Sequence, residues 1–156
     1  MVFDIRPDLL DEDQTKDLLA LHPVGMHENS LPEAVFALDL PGLRQPSITV
    51  WSARQGKKIA SVGALKMLGQ DSAELKSMRT HPNFLRQGVA RLILEHIIHI
   101  ARQKGVIKIS LETGNGPAFE PALVLYRKLG FTNGPAFSEY KPDPFSQFLH
   151  LSLVSA

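Results

Sequence analysis

Apolar and polar residues alternate through "VFDIRP" and stop at Pro7, which predicts a first strand. Leu18, Leu19 and Leu21 then fall on one helical stripe between residues 11 and 21. Asp11, Glu12 and Asp13 sit at the end of that stripe where the helix dipole favours negative charge. "HPVGMHENS" has no period and reads as a loop. Ser30 as N-cap, Pro32 in the first turn and Glu33 as the capping-box acid then open a second short helix. Pro41, Gly42 and Pro46 mark a connection.

"SITVWSARQGKKIASVGALKML" reads as two strands joined at "RQGKK", a hairpin with glycine in its turn, and "GQDS" turns the chain into a third strand, "AELKSMRT". Apolar positions next recur at helical spacing from about Gln87 to Lys104. "VIKISLET" is a short β-rich run. A helix from residue 118 or 119 to residue 129 ends at Gly130 as the residue past the cap. "SQFLHLSLV" closes the chain as a strand. The order is therefore β, α, α, three antiparallel strands, α, β, α and at least one further strand. It implies an α/β (mixed α+β) fold: a central mixed, mostly antiparallel sheet with helices on both faces. The strand–helix–strand unit around residues 74–112 should be a right-handed parallel crossover if its strands are neighbours.

The length of 156 residues fits one domain spanning residues 1–156, large enough to bury a core without staples. No cysteine occurs, which excludes disulfides, thiolate metal sites and a cysteine nucleophile. Seventeen basic and sixteen acidic residues are interleaved for a net charge of +1, which gives no electrostatic footprint for nucleic acid. The N-terminal "MVFDIRPDLLDEDQ" turns acidic within four residues, unlike a signal peptide, and no apolar run approaches the ~20 residues of a membrane span. The expectation is a cytoplasmic globular protein that does not engage a membrane.

Within "MRTHPNFLRQGVARLIL", Arg86, Gln87 and Gly88 stand where the long helix begins. A first helical turn exposes N–H groups without intrahelical partners, and its dipole attracts anions. Gly88 lets a ligand approach the backbone, and Arg86 and Arg91 add positive charge. These features suit a pyrophosphate, although neither a Walker motif nor G-x-G-x-x-G is present. On these local grounds, a plain structural turn with a capping glycine accounts for the residues equally well.

The wider pattern resembles the acyl-CoA-binding motif of the GNAT family of N-acetyltransferases: strand, His-Pro, then [RQ]-x-x-G-x-[GA] running into a helix. Gly88 and Ala90 occupy its two small positions, and Leu85 stands where Arg or Gln is usual. Downstream, "ALVLYRKLGF" resembles the family's A-x-x-L-Y-x-x-x-G-F helix and strand start. Phe119 takes the place, seven residues before the tyrosine, where the family often has an Asn that contacts the pantetheine arm. The resemblance runs from about residue 48 to residue 153.

It implies transfer of an acetyl group from acetyl-CoA to an amine by direct attack, without an enzyme nucleophile or a metal. It assigns the pyrophosphate to Arg86, Gln87, Gly88, Val89, Ala90 and Arg91, and the pantetheine to the main chain of Met78 and Thr80, with Phe119 beside it. It makes Tyr126 the proton donor near the CoA sulfur; the other reading of Tyr126 is an amphipathic core tyrosine. Several family members carry a catalytic glutamate where Glu74 stands, and strand alternation groups Glu74 with Lys76, Met78 and Thr80. Glu74 also reads as a strand-end surface charge paired with Lys76. Glu112, at the end of "SLET", competes for the role of base. The acceptor is a small-molecule or protein amine, and a homodimer would be in keeping with the family. A non-catalytic acyl-CoA sensor or scaffold is the rival reading.

His96 and His99 in "EHIIH" stand in the wrong order for HExxH. Val89, Leu92, Ile93, Ile97 and Ile100 make the apolar face of that helix, so His96 should border the core. Trp51 reads as core. The loop at residues 22–27 either lines the acceptor pocket or is an ordinary connection.

Overall fold

The computed structural model describes residues 3–20, 43–138 and 140–154. The helix expected to open at Ser30 and the loop at residues 22–27 lie outside the described residues. The elements in chain order are β1 (Asp4–Pro7), α1 (Asp13–Ala20), β2 (Ile48–Gln55), β3 (Lys58–Met67), β4 (Ser72–Thr80), α2 (Val89–Gln103), β5 (Lys108–Gly114), α3 (Glu120–Lys128), β6 (Thr132–Asn133) and β7 (Ser146–Ser152). The strands form one seven-stranded sheet in the order β1-β2-β3-β4-β5-β7-β6. Every neighbouring pair is antiparallel except β4 and β5, which run parallel on either side of the α2 crossover.

Both faces of the sheet are covered, because the strands alternate apolar side chains between two cores. Trp51, Leu65, Ala73, Leu75, Ile109 and Leu111 point to one face. They pack there with Ile93, Leu94 and Ile97 of α2 and Leu123 and Tyr126 of α3. Val50, Val62 and Ala64 point the other way and pack with Leu18 and Leu19 of α1. Neither helix layer could bury its stripe without a sheet face to receive it.

Local chemistry sets the boundaries. Gln55 pairs with Lys58 across a two-residue hairpin loop, where Gly56 takes a φ of 60°. α2 begins at Val89 rather than Gln87, because Gly88 is the cap at a left-handed φ of 80°. Both α2 and α3 end with the same pair of hydrogen bonds. Gly105 N–H donates to the Arg102 carbonyl and Val106 N–H to that of Ala101; Gly130 and Phe131 do the same to Arg127 and Tyr126. Each glycine sits at a positive φ just past its helix, the arrangement that satisfies orphan carbonyls.

The apolar face of α2 is broader than its sequence suggests. Leu94, Ile98 and Ala101 are buried with Val89, Ile93 and Ile97, whereas Leu92 is 43% exposed. At 100° per residue, Val89, Ile93, Ile97, Ala101, Leu94 and Ile98 form one continuous arc turned to the sheet, and Leu92 falls outside it. Near the N-terminus, Asp8 accepts hydrogen bonds from Leu10 N–H, Thr15 Oγ1 and Arg54 Nη2, which ties the start of α1 to β2. Glu12 completes that knot by accepting from Arg54 Nη1.

Candidate active site

The sheet opens in its middle. β4 and β5 pair only from Ser72↔Lys108 to Glu74↔Ser110, although β4 continues to Thr80 and β5 to Gly114. Beyond Glu74 and Ser110 the strands part, and the backbone edges of residues 75–80 and 111–114 are left to bond a guest. An extended chain bearing amides can use such an edge as a strand would.

A bulge in β4 lies at the mouth of this opening. β3 pairs Val62 with Arg79 and Ala64 with Lys76, so Ser77 and Met78 together stand opposite the single residue Gly63. Ser77 takes a φ of 57°, and the extra residue reverses the alternation that follows. Glu74 and Lys76 keep the α1 face. Met78 packs with the α2 core instead: a Cβ built on Gly63 would lie 2.5 Å from the Met78 sulfur and 2.9 Å from Ile97 Cδ1. The common face expected for Glu74, Lys76, Met78 and Thr80 is therefore split. Thr80 pairs with Ser61 and shares a 3.2 Å hydroxyl contact with it. The Met78 carbonyl accepts from Arg79 Nη1 at 2.9 Å.

From the end of β4 at Thr80 the chain runs through residues 81–88 to the start of α2. Leu92 N–H is bonded to the Gly88 carbonyl, so the N–H groups of Val89, Ala90 and Arg91 form the open first turn. Arg86, at a φ of 63°, and Gly88 bend the chain so that this turn faces outwards. A Cβ built on Gly88 meets nothing within 4 Å, so space lies in front of the glycine. Arg86, Gln87 and Arg91 are exposed, as is Leu85, and Val89 is buried as the helix anchor. Free N–H groups, open space and two cations suit a diphosphate. Leu85 points no polar group at the turn, which leaves the main chain to provide the cradle.

On the α2 and α3 face, Tyr126 is 7% exposed and lies 5.7 Å from the Phe131 ring, centroid to centroid. Burial pushes its phenol up to about 12, against a smaller downward pull from the Arg79 guanidinium. Tyr126 therefore keeps its proton at neutral pH. Phe119 is 5% exposed and lays its ring against Gly114; a Cβ there would come within 2.4 Å of Phe119 Cζ. It offers an apolar wall at the end of β5, not the polar contact an Asn would make.

The two glutamates meet on the opposite face. Glu74 is 3% exposed; its Oε2 accepts from Tyr140 Oη at 2.5 Å and lies 3.7 Å from Lys76 Nζ. The sequence pairing of Glu74 with Lys76 is therefore present, but within a buried cluster. Glu112 follows Ser110 on the same face of β5, and its Oε2 accepts from Ser146 Oγ at 2.6 Å. Burial raises the Glu112 carboxyl above its ordinary value. Ser146 opposes that shift, Asp143 and Glu74 add to it, and Lys76 lowers it slightly. The Tyr140 phenol is raised well above its usual range by burial, by its bond to Glu74, and by the charges of Glu74 and Glu112. Glu74, Glu112 and Tyr140 thus form one electrostatic unit, which Tyr126 does not join.

The chain at residues 134–138 and 140–146 reaches this unit through Tyr140 and Ser146. His150 ties down their start: Nε2 bonds to the Pro135 carbonyl at 2.8 Å and Nδ1 to Ser110 Oγ at 2.7 Å. Gly134 fits because a Cβ there would lie 2.6 Å from the His150 ring. Phe137 meets Tyr140 at a tilt and Phe148 and His150 edge-to-face, at centroid distances of 5.1, 6.0 and 5.7 Å. Tyr140, Ser146 and His150 are the members that sequence reasoning missed. Tyr140 sits in an irregular stretch where no period assigns a side chain to a face. Ser146 and His150 lie on a strand whose partners only the fold reveals.

His96 borders the core as expected, 6.1 Å edge-on to the buried Trp51 ring, and burial lowers its pKa. Among the described residues, no group of His, Asp and Glu side chains could hold a metal ion, and no helix is long and apolar enough to cross a membrane.

Residues 10–131 match the family model described as the acetyltransferase (GNAT) family. The chain is 45% identical over 152 residues to the uncharacterized N-acetyltransferase YedL of Escherichia coli K12, covering 97% of this chain and 96% of that one. It is 44% identical over 145 residues to the uncharacterized N-acetyltransferase YsnE of Bacillus subtilis 168, covering 93% and 96%. Its fold is similar to the crystal structure of a GNAT family acetyltransferase from Elizabethkingia anophelis with acetyl-CoA bound. That likeness has a TM-score of 0.71 at 20% identity, covering 97% of this chain and 98% of the other.

Proposed function

The chain belongs to the GNAT acetyltransferase family, and on that premise we propose that it uses acetyl-CoA to acetylate an amine of a small molecule or a protein by direct attack. The observation that carries this reading is the continuity of two features. β4, unpaired with β5 beyond Glu74, leads through residues 81–88 into the open first turn of α2, so one extended ligand with an anionic end could use both. Residues 86–91 hold the diphosphate through the N–H groups of Val89, Ala90 and Arg91, with Arg86 and Arg91 supplying charge and Gln87 at the rim. The main chain of Met78 and Thr80 holds the amide-bearing arm, against the apolar wall of Phe119.

Bound acetyl-CoA supplies the activated acetyl thioester. The chain supplies proton management on two sides. Glu74 Oε1 is the oxygen not engaged by Tyr140 or Lys76, and it takes the proton of the acceptor amine. Glu112 is the second candidate, because its raised pKa suits a base working near neutral pH. Tyr126 carries its proton on Oη, the state a donor at the leaving group needs. A cytoplasmic location belongs to the same proposal, since acetyl-CoA is an intracellular cosubstrate.

A panel of amines, from small diamines and amino acids to peptide N-termini, tests it through CoA release and mass spectrometry. Release with at least one amine, accompanied by the acetyl mass increment, is expected. Tight acetyl-CoA binding with no acetylation anywhere on the panel would overturn the proposed acceptor class.

A further inference from the structure

We propose that Tyr140 is a positioning residue for acetyl transfer: it fixes the Glu74 carboxylate through Oε2, so that Oε1 is the oxygen left to take the acceptor's proton. This rests on the reading of Glu74 as base. The contact joins residues 66 apart in sequence, at 2.5 Å, with the carboxylate almost wholly buried. A hydrogen bond to Oε2 orients the buried carboxylate and lowers the proton affinity of that oxygen, so Oε1 becomes the more basic of the two, which is what a base acting on a transient geometry requires.

The surroundings hold Tyr140 rigidly enough for this task. Its ring leans on Phe137 at 5.1 Å and on Phe148 at 5.9 Å. Phe137 rests in turn on His150, which is held by Ser110 and the Pro135 carbonyl. Lys76 Nζ lies 3.7 Å from the same oxygen, Oε2, and adds its charge there. When the amine reacts, its proton passes to Glu74 Oε1 and the pair left on nitrogen forms the N–C bond to the thioester carbonyl; the C–S bond breaks, and the CoA thiolate leaves with a proton from Tyr126. Tyr140 keeps its own proton throughout, because burial and the two glutamates oppose its ionisation.

Two measurements test the proposal. The first needs no substrate: in protein labelled at tyrosine Cζ, the Tyr140 carbon signal is followed into alkaline solution, assigned by its loss in Tyr140→Phe. The phenol should ionise at lower pH in Glu74→Gln than in the wild type; an unchanged titration means the contact is absent, and the proposal falls. The second is a double-mutant cycle on an amine found by the panel. Tyr140→Phe keeps the ring and loses the donor. It should lower kcat about tenfold, the scale of a lost hydrogen bond to a charged group, with acetyl-CoA affinity unchanged. It should cost little more when added to Glu74→Gln, since it acts through that carboxylate. A Tyr140→Phe enzyme at wild-type kcat, beside a slow Glu74→Gln enzyme, overturns the role of Tyr140 and leaves Glu74 as base. A wild-type rate in Glu74→Gln overturns the base reading itself.

Discussion

Glu74 and Ser110 form the last rung between β4 and β5, and each belongs to a different part of the site. Glu74 turns to Tyr140, and Ser110 turns to His150, so the point where the sheet parts is also where the chain at Pro135 and Tyr140 is fastened. The opening between the strands and the carboxylate cluster are therefore built on one fulcrum, with the open first turn of α2 reached from one face and the glutamates on the other.

The Phe119 wall depends on Gly114. Replacing Gly114 with Ala forces the buried ring to move, since the new Cβ would lie 2.4 to 2.9 Å from three of its atoms. Overpacking of this kind costs about 1–3 kcal/mol. Denaturant titration should find that loss in Gly114→Ala, and much of it should return when Phe119→Leu is added.

Glu112 connects stability with pH. Its folded pKa is raised, chiefly by burial, so it contributes stability that is full below the ordinary carboxylate range and lost as pH rises through the raised value. Glu112→Gln should therefore gain thermal stability over the wild type as pH rises from about 4 to 8, and show no such gain at the acid end. If Glu112 is also the base, the same variant loses the acid limb of the rate profile. Melting curves and initial rates across that range read both effects.

Tyr126 separates a donor from a packing residue. Tyr126→Phe keeps the ring against Phe131 and removes only the hydroxyl. General acids contribute about 10²–10⁴-fold, so kcat should fall at least a hundredfold while acetyl-CoA affinity holds. A core tyrosine would give near-normal kcat with a modest change in melting temperature. The acceptor must be one for which the chemical step limits turnover.

The glycines that shape the fold were legible because each interrupts a period. Gly88 breaks the run into α2, and Gly130 closes the stripe of α3, so their turns could be placed from sequence. The bulge at Ser77 was not legible, since serine does not announce a positive φ and the alternation of "AELKSMRT" continues through it. Leu92 was misassigned to the core because the stripe was centred on its side of Val89, whereas the buried arc runs the other way, through Leu94, Ile98 and Ala101. The pairing of Glu74 with Lys76 could be read from strand alternation, whereas Tyr140 could not. Its contact with Glu74 depends on an irregular segment whose course is set by His150 and a pair of phenylalanines.

The most direct measurement is calorimetric binding of acetyl-CoA to the wild type, Gly88→Asn and Gly88→Asp. Asn and Asp both tolerate the left-handed φ of 80° at this position better than other side chains, so backbone strain is matched and charge is the difference. With the diphosphate in the turn at residues 86–91, the wild type should bind one acetyl-CoA per chain. Gly88→Asn should weaken it by bulk, and Gly88→Asp should weaken it at least tenfold further, with unliganded melting temperatures alike in the two variants. Equal affinity in Gly88→Asp and the wild type would contradict the cofactor site on which the account rests.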